Sequence, residues 1–301
     1  MPVAALYAGL VLLWGSTFLW IGIATDETSP FLVAEARLLV GAVTAAAAVA
    51  LAGADTRAAH APATLRPWLA RGLVLSLIQA AIPFVLMAYA QRQIPSSVAA
   101  IINSGAPLWV AFVALLGIAG TAAERLPPWR LPGLLVGIAG VAVLVGGSPG
   151  GQLDGQLLMV GVVMTYASGG LYAQHALAGA PPHTAALLST ALGAIVMLPL
   201  GIAGVIADPP DLGATAALIA LGVLPTGLGY VIYFTLIRRI GTTRALTVTY
   251  LMPFVAIALG VIFLHESVGP AAAAGLALIL LGVAIVNGQL RIAPRRAVDA
   301  Q

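Results

Sequence analysis

Arg37 is the residue whose type and setting most invite chemistry. It lies in a stretch, 31–54, whose only other charge is Glu35. A charge inside so apolar a segment is costly and is usually kept for function. The planar, permanently cationic fork of arginine suits a carboxylate. The competing reading is structural, with the fork paired to a neighbouring helix or snorkelling toward the surface. Glu35 and Arg37 are two apart, so a helix turns them to different faces and makes them poor partners for each other. Glu35 is a candidate proton site. Gln79 and Asn103 are uncharged groups that both donate and accept, and they serve equally well as interhelical hydrogen bonds. Thr17 adds a hydroxyl three residues after Trp14. Aromatic side chains recur at Trp14, Trp20, Tyr89, Trp109, Tyr166, Tyr172, Tyr230, Tyr233 and Tyr250. An aromatic wall with few polar groups suits amphipathic organic molecules, or cations held over the rings; ordinary packing is the alternative.

Enzyme chemistry finds little support. Gly146-Gly147-Ser148-Pro149-Gly150 fits the G-x-S-x-G pattern, but a nucleophile elbow needs a strand-to-helix turn and an N–H after the serine, where this chain has proline. The four histidines (60, 175, 183, 265) are dispersed. The absence of cysteine removes thiolate ligands and nucleophiles, and the absence of lysine removes a Walker A loop. Nothing points to a cofactor or metal.

The elements that must hold these groups follow from composition. The chain is 61% hydrophobic and 8% charged, with mean hydropathy +1.05; a soluble domain carries about 25% charge. That excludes a soluble globular fold, and the pI near 9.6 reflects few charges rather than a nucleic-acid partner. A bilayer core needs about 20 apolar residues of helix. The charge-free windows then give an all-α integral membrane protein of ten spans: 4–24, 31–52, 70–91, 97–119, 130–147, 155–177, 183–206, 213–236, 243–264 and 270–289. The first lacks the basic start of a secretory signal. With the N-terminus inside, eleven arginines fall on the inner side, only Arg92 falls outside, and Arg37 lies within a span. The bias supports ten crossings with both termini cytoplasmic, in a cell membrane. Its partners are then the lipid bilayer and a small-molecule substrate.

Two halves of the chain can be laid over each other. Trp14-Gly15-Ser16 matches Tyr166-Ala167-Ser168. Pro30 and Gly41 match Pro182 and Gly193, and Pro107 matches Pro253. Ile94-Pro95-Ser96-Ser97 lies opposite Ile240-Gly241-Thr242-Thr243. Glu124 matches Glu266, and Gly133 and Gly140 match Gly275 and Gly282. Five helices per half make the second copy inverted, as in secondary transporters whose site sits near mid-bilayer between the halves. The repeats are read as 1–148 and 149–290, with a cytoplasmic tail 291–301.

Prolines at 83, 107, 199, 225 and 253 fall inside expected spans. Each removes a backbone donor and can kink its helix. Irregular backbone at membrane depth is tolerated where it is buried or lines a cavity. Pro83, Pro107, Pro225, Gly227 and Pro253 are therefore candidate hinge or gating positions, with 222–230 the most disrupted run. Gly133 with Gly137, and Gly193 with Met197 and Gly201, are stripes for close helix approach and a candidate homodimer face. Glu124 and Glu266 end equivalent helices. They are read as acids favouring the dipoles of the spans that follow.

Leu13-Trp14-Gly15-Ser16-Thr17-Phe18, Glu35-Ala36-Arg37-Leu38, and Ala245-Leu246-Thr247-Val248-Thr249-Tyr250-Leu251-Met252-Pro253 running on to Leu264-His265-Glu266 resemble the EamA family of the drug/metabolite transporter superfamily. The first-half counterpart, Ala99-Ala100-Ile101-Ile102-Asn103-Ser104-Gly105-Ala106-Pro107-Leu108-Trp109, fits as well. The resemblance covers nearly the whole chain. It implies ten helices, two inverted five-helix repeats and export of amino acids, other metabolites or drugs. The expectation is a secondary transporter with alternating access and a substrate site drawn from Trp14, Thr17, Arg37, Gln79, Asn103, Tyr166, Tyr230 and Tyr250. A lipid-modifying membrane enzyme and a non-transporting scaffold are the alternatives.

Overall fold

The computed structural model describes residues 1–51, 66–115, 128–147, 152–176, 180, 182–241, 244–245 and 247–290. Glu124, Ser148, Thr242, Thr243, Leu246 and the tail 291–301 lie outside these. Among the described residues the fold is helical throughout. The helices are α1 Val3–Gly15, α2 Thr17–Glu27, α3 Pro30–Leu51, α4 Leu69–Ser76, α5 Ile82–Gln91, α6 Ser96–Asn103, α7 Ala106–Leu115, α8 Leu131–Gly146, α9 Leu153–Ala176, α10 Pro182–Ala207, α11 Leu212–Leu221, α12 Gly229–Ile240, α13 Met252–Phe263 and α14 Pro270–Val286.

Several join end to end. Seven rods are long and apolar enough to cross a membrane: Val3–Glu27, Pro30–Leu51, Leu69–Gln91, Ser96–Val113, Leu153–Ala173, Thr184–Ala207 and Leu212–Ile240. Three shorter apolar helices are Leu131–Gly146, Met252–Phe263 and Pro270–Val286. Leu12, Val43, Leu135, Ile195, Ile206, Phe254 and Phe263 point outward and are exposed. A helix that is apolar on its outer face as well as its inner one belongs in lipid. The chain is a multi-pass membrane protein.

Sequence reading treats each span as one helix, but several rods change geometry in the middle. The first turns at Ser16, where α1 gives way to α2. The third passes through a π turn, Leu77–Ala81, and Leu212–Ile240, the eighth of the ten apolar rods in chain order, through a longer one, Gly222–Leu228. The fourth is interrupted at Ser104-Gly105 between α6 and α7. In the expected span 243–264, a 3-10 turn, Thr247–Tyr250, precedes α13. Except at Ser16, where no proline is near, the prolines supply the cause. Each lacks the N–H that would close on the carbonyl four residues earlier, so the backbone regroups there. π turns of this kind gather at functional sites.

Packing follows the glycines. α8 and α14 run antiparallel. Gly133 lies against Gly282 and Ile285, and Gly140 lies against Gly275 and Ile279. A Cβ at Gly282 would come within 2.5 Å of the Gly133 carbonyl. α3 and α10 form the second close pair, with Gly204 over Ser29 and Leu32, Gly201 over Glu35, and Gly193 over Leu38 and Ser76. Both small-residue stripes read from the sequence are thus occupied within the chain.

The buried interior divides into two apolar clusters. One holds Leu6, Leu10, Leu38, Leu75, Phe84, Tyr230, Tyr233 and Phe234. The other holds Phe18, Ile21, Met87, Ile101, Met159 and Leu221. Trp14 and Tyr166 pack against both. They mark the layer where the two clusters meet.

Candidate functional site

The site is built where the regrouped backbone meets that layer. Pro225 cannot bond the Leu221 carbonyl four residues back, and the Thr226 hydroxyl donates to it at 2.9 Å instead. Pro83 stands in the same relation to the Gln79 carbonyl, which accepts from the Tyr230 hydroxyl at 3.3 Å. The Pro225 carbonyl in turn accepts from the Trp14 indole N–H at 3.1 Å. Gly229 makes room for this indole, since a Cβ there would lie 2.8 Å from Nε1. Proline-broken turns thus expose backbone acceptors, and aromatic side chains from the other half of the chain take them up.

Arg37 lies among these groups and is 4% exposed. Its Nε donates to the Thr226 hydroxyl at 3.0 Å. Its guanidinium carbon lies 3.5 Å from the Phe84 ring centroid, and Nη1 faces the Met87 sulfur at 4.0 Å. The Tyr166 phenol also interacts with it. These partners are neutral. A cation–π contact and weak acceptors compensate a desolvated charge only partly. The guanidinium thus sits in a dry, aromatic setting.

The walls are rings. Trp14 packs on Tyr233 at 4.8 Å between centroids and meets Tyr230 edge-on at 6.4 Å. Phe234 meets both tyrosines, at 6.1 and 5.3 Å. Gln79 is buried in the first π turn with its side-chain oxygen unpartnered. Gly169 on α9 lies over it.

The structure therefore gathers Trp14, Arg37, Gln79, Tyr166 and Tyr230. The other three candidates are placed by different contacts. Thr17 is buried at the first position of α2. Asn103 ends α6, buried, with its side-chain oxygen unpartnered. The Tyr250 hydroxyl accepts from the Asn287 amide beside α14. Among the hinge candidates, Pro83 and Pro225 frame the site directly. Gly227 lets α3 approach, lying against Thr44. Pro107 and Pro253 start α7 and α13 after the breaks. Phe84, Met87 and Thr226 are contributors that sequence reasoning passes over. Phe84 and Thr226 each follow a singled-out proline by one residue, and that was the available signal.

Glu266 corrects an expectation. Instead of serving the helix that follows it, its carboxylate accepts from the backbone N–H groups of Ser96 and Ser97, at 2.6 and 3.0 Å. It caps α6, a helix of the other half. His265 makes this possible by adopting the left-handed region at φ 54°, which turns the chain back so that the Glu266 N–H reaches the Gly260 carbonyl at 3.1 Å.

Comparisons with known proteins identify the family. The chain is 26% identical over 307 residues to the "Uncharacterized inner membrane transporter YedA" of Escherichia coli (strain K12), covering 100% of this chain and 95% of that one. It is 26% identical over 289 residues to the "Probable amino-acid metabolite efflux pump" of Salmonella typhimurium (strain LT2), covering 92% and 91%. Over 209 residues it is 25% identical to the "Probable terminal-alkyne amino-acid exporter" of Streptantibioticus cattleyicolor, covering 67% and 68%. A protein of known crystal structure, 20% identical, shares the fold with a TM-score of 0.66 over 95% of this chain and 98% of its own. The family model described as "EamA-like transporter family" matches residues 1–146 and 153–288. The chain belongs to the EamA-like transporter family.

Proposed function

We propose that this protein is a secondary carrier that exports small organic solutes, amino acids or related metabolites and drugs, by alternating access between two inverted five-helix halves. The observation that carries the reading is the set of cross-half contacts around Arg37. Arg37 meets Thr226, Trp14 meets Pro225, and Tyr230 meets Gln79. A solute carboxylate would dock on the Arg37 fork as the halves part, and an apolar side chain would lie against Trp14, Tyr166 and Tyr230. The gathered groups then serve as the binding set, with Thr17, Asn103 and Tyr250 entering as the halves move. The names of the amino-acid efflux relatives support this substrate class.

Inversion is supported by contacts that exchange partners. The sequence pairs Gly133 with Gly275 and Gly140 with Gly282. Swapping the halves turns the Gly133–Gly282 contact into the Gly140–Gly275 contact, and both occur. Gly41 lies on Thr226 in the eighth rod, while its counterpart Gly193 lies on Ser76 in the third. Pro83 with Gln79 repeats as Pro225 with Leu221. On this reading all ten apolar rods cross the bilayer, both termini are cytoplasmic, and Pro83, Pro107, Pro225, Gly227 and Pro253 are the points that flex. A single chain contains the whole site.

The test is export from living cells. Cells expressing the chain and fed dipeptides should release amino acids into the medium faster than cells carrying an empty vector. Arg37→Gln should remove the difference. Equal release with and without the chain, across amino acids, aromatic metabolites and cationic drugs, would count for a scaffold. Conversion of a lipid by the purified chain would count for an enzyme.

A further inference from the structure

Glu35 is the unexplained group of the second rod. Its side chain is 3% exposed, and both carboxyl oxygens are buried without a hydrogen-bond partner. It lies against Gly201 of α10, where any Cβ would occupy the space of its side chain. Arg37, two residues on, turns away to Thr226 and Phe84. The other charged and titratable groups of the surrounding elements are exposed or bonded elsewhere. From α5, Tyr89 packs edge-on against Phe31. Arg92, just past it, donates to the carbonyls of Thr25 and Thr28. On α2, Asp26 and Glu27 are exposed. Asp208, past α10, accepts from the Thr28 hydroxyl through its backbone carbonyl. α11 and both π turns carry no charged side chain, and the side chain of His183 on α10 is not among those described.

A carboxylate ion in this slot has neither donor nor counter-ion, whereas a neutral carboxylic acid needs neither. We propose that Glu35 is a proton-binding site, neutral in the closed α3–α10 seam and ionised when the seam opens to water, so that proton movement is coupled to solute movement. The step breaks the Glu35 O–H bond, leaves the electron pair on the carboxylate and passes the proton to water. Reclosing the seam takes a proton back. Arg37 and Glu35 ride on one helix, so displacement of α3 changes the solute receptor and the proton site together.

The coupling half of this inference rests on the carrier reading; the protonation half does not. The full chain would be reconstituted in sealed vesicles with a mixture of labelled neutral amino acids as probe. With one proton per solute, a gradient of about one pH unit sustains roughly tenfold accumulation. Accumulation in the wild type under one sign of gradient is expected, falling to simple equilibration in Glu35→Gln and partly restored in Glu35→Asp. Counterflow, which needs no net proton movement, should persist in Glu35→Gln. Infrared spectra at neutral pH should show a protonated carboxylic acid that Glu35→Gln lacks. Gradient-driven accumulation that survives Glu35→Gln, or a wild-type spectrum without that acid, would overturn the proposal. Counterflow without gradient-driven accumulation in the wild type would overturn the coupling and leave the carrier standing. Absence of counterflow itself would count against the carrier, and the infrared result would still decide the protonation.

Discussion

Arg37 is held by geometry that lysine cannot copy. Lysine keeps the charge but loses the planar face over Phe84 and the Nε donor to Thr226. Arg37→Lys should weaken solute binding by about 1.5–3 kcal/mol, or roughly ten- to a hundredfold in Kd, measured by equilibrium binding to the purified protein. Trp14→Phe keeps a ring against Tyr233 and loses the indole donor to Pro225. It should lower stability by about 1 kcal/mol, read as a lower Tm in detergent. Much of this site was legible in the sequence because rare residues stand out in an apolar chain. Arg37 and Gln79 are conspicuous for that reason. Thr226 is marked in the sequence only by following Pro225, and Met87 is distinguished only by its folded contact with Arg37. The fit of Glu35 into the Gly201 slot was illegible too, because it depends on which glycine of α10 faces which turn of α3.

Single contacts also decide the behaviour of whole elements. Glu266 satisfies two N–H groups at the start of α6. Glu266→Ala should therefore cost about 1–2 kcal/mol, the range of a lost N-cap. His265→Gly should act the other way and raise stability by about 1 kcal/mol, because glycine carries no Cβ penalty at φ 54°. Thermal unfolding of the two variants beside the wild type checks both signs. A third comparison concerns the helix pairs. Gly282→Ala places a methyl against the Gly133 backbone and should destabilise the α8–α14 pair. Gly9→Ala has nothing within 4 Å to meet and should stabilise by roughly 0.4–1 kcal/mol. Element positions were readable from charge-free windows, since a bilayer dictates their length. The interior of each rod was not. Proline marks where a helix is disturbed, but which carbonyl is freed, and whether a π turn or a break results, depends on what packs alongside. The cap on α6 was missed for the same reason: its donor and acceptor are 170 residues apart.

The whole molecule has two testable properties, its orientation in the membrane and its solute pathway. The chain contains no cysteine, so single introduced thiols report without background. Asp208→Cys should react with an impermeant thiol reagent in intact cells, while Arg238→Cys should react only after the membrane is opened; both positions are exposed. Arginine counting is the sequence argument for this orientation, and the two thiols test it. The meeting of the two apolar clusters was not legible there, because it depends on Trp14 and Tyr166 each packing against both. The most direct test of the central claim is counterflow: vesicles containing the purified chain and loaded with unlabelled amino acids are diluted into trace labelled amino acids. The account predicts a transient accumulation of label that is lost in folded Arg37→Gln. An accumulation undiminished by that substitution would contradict it.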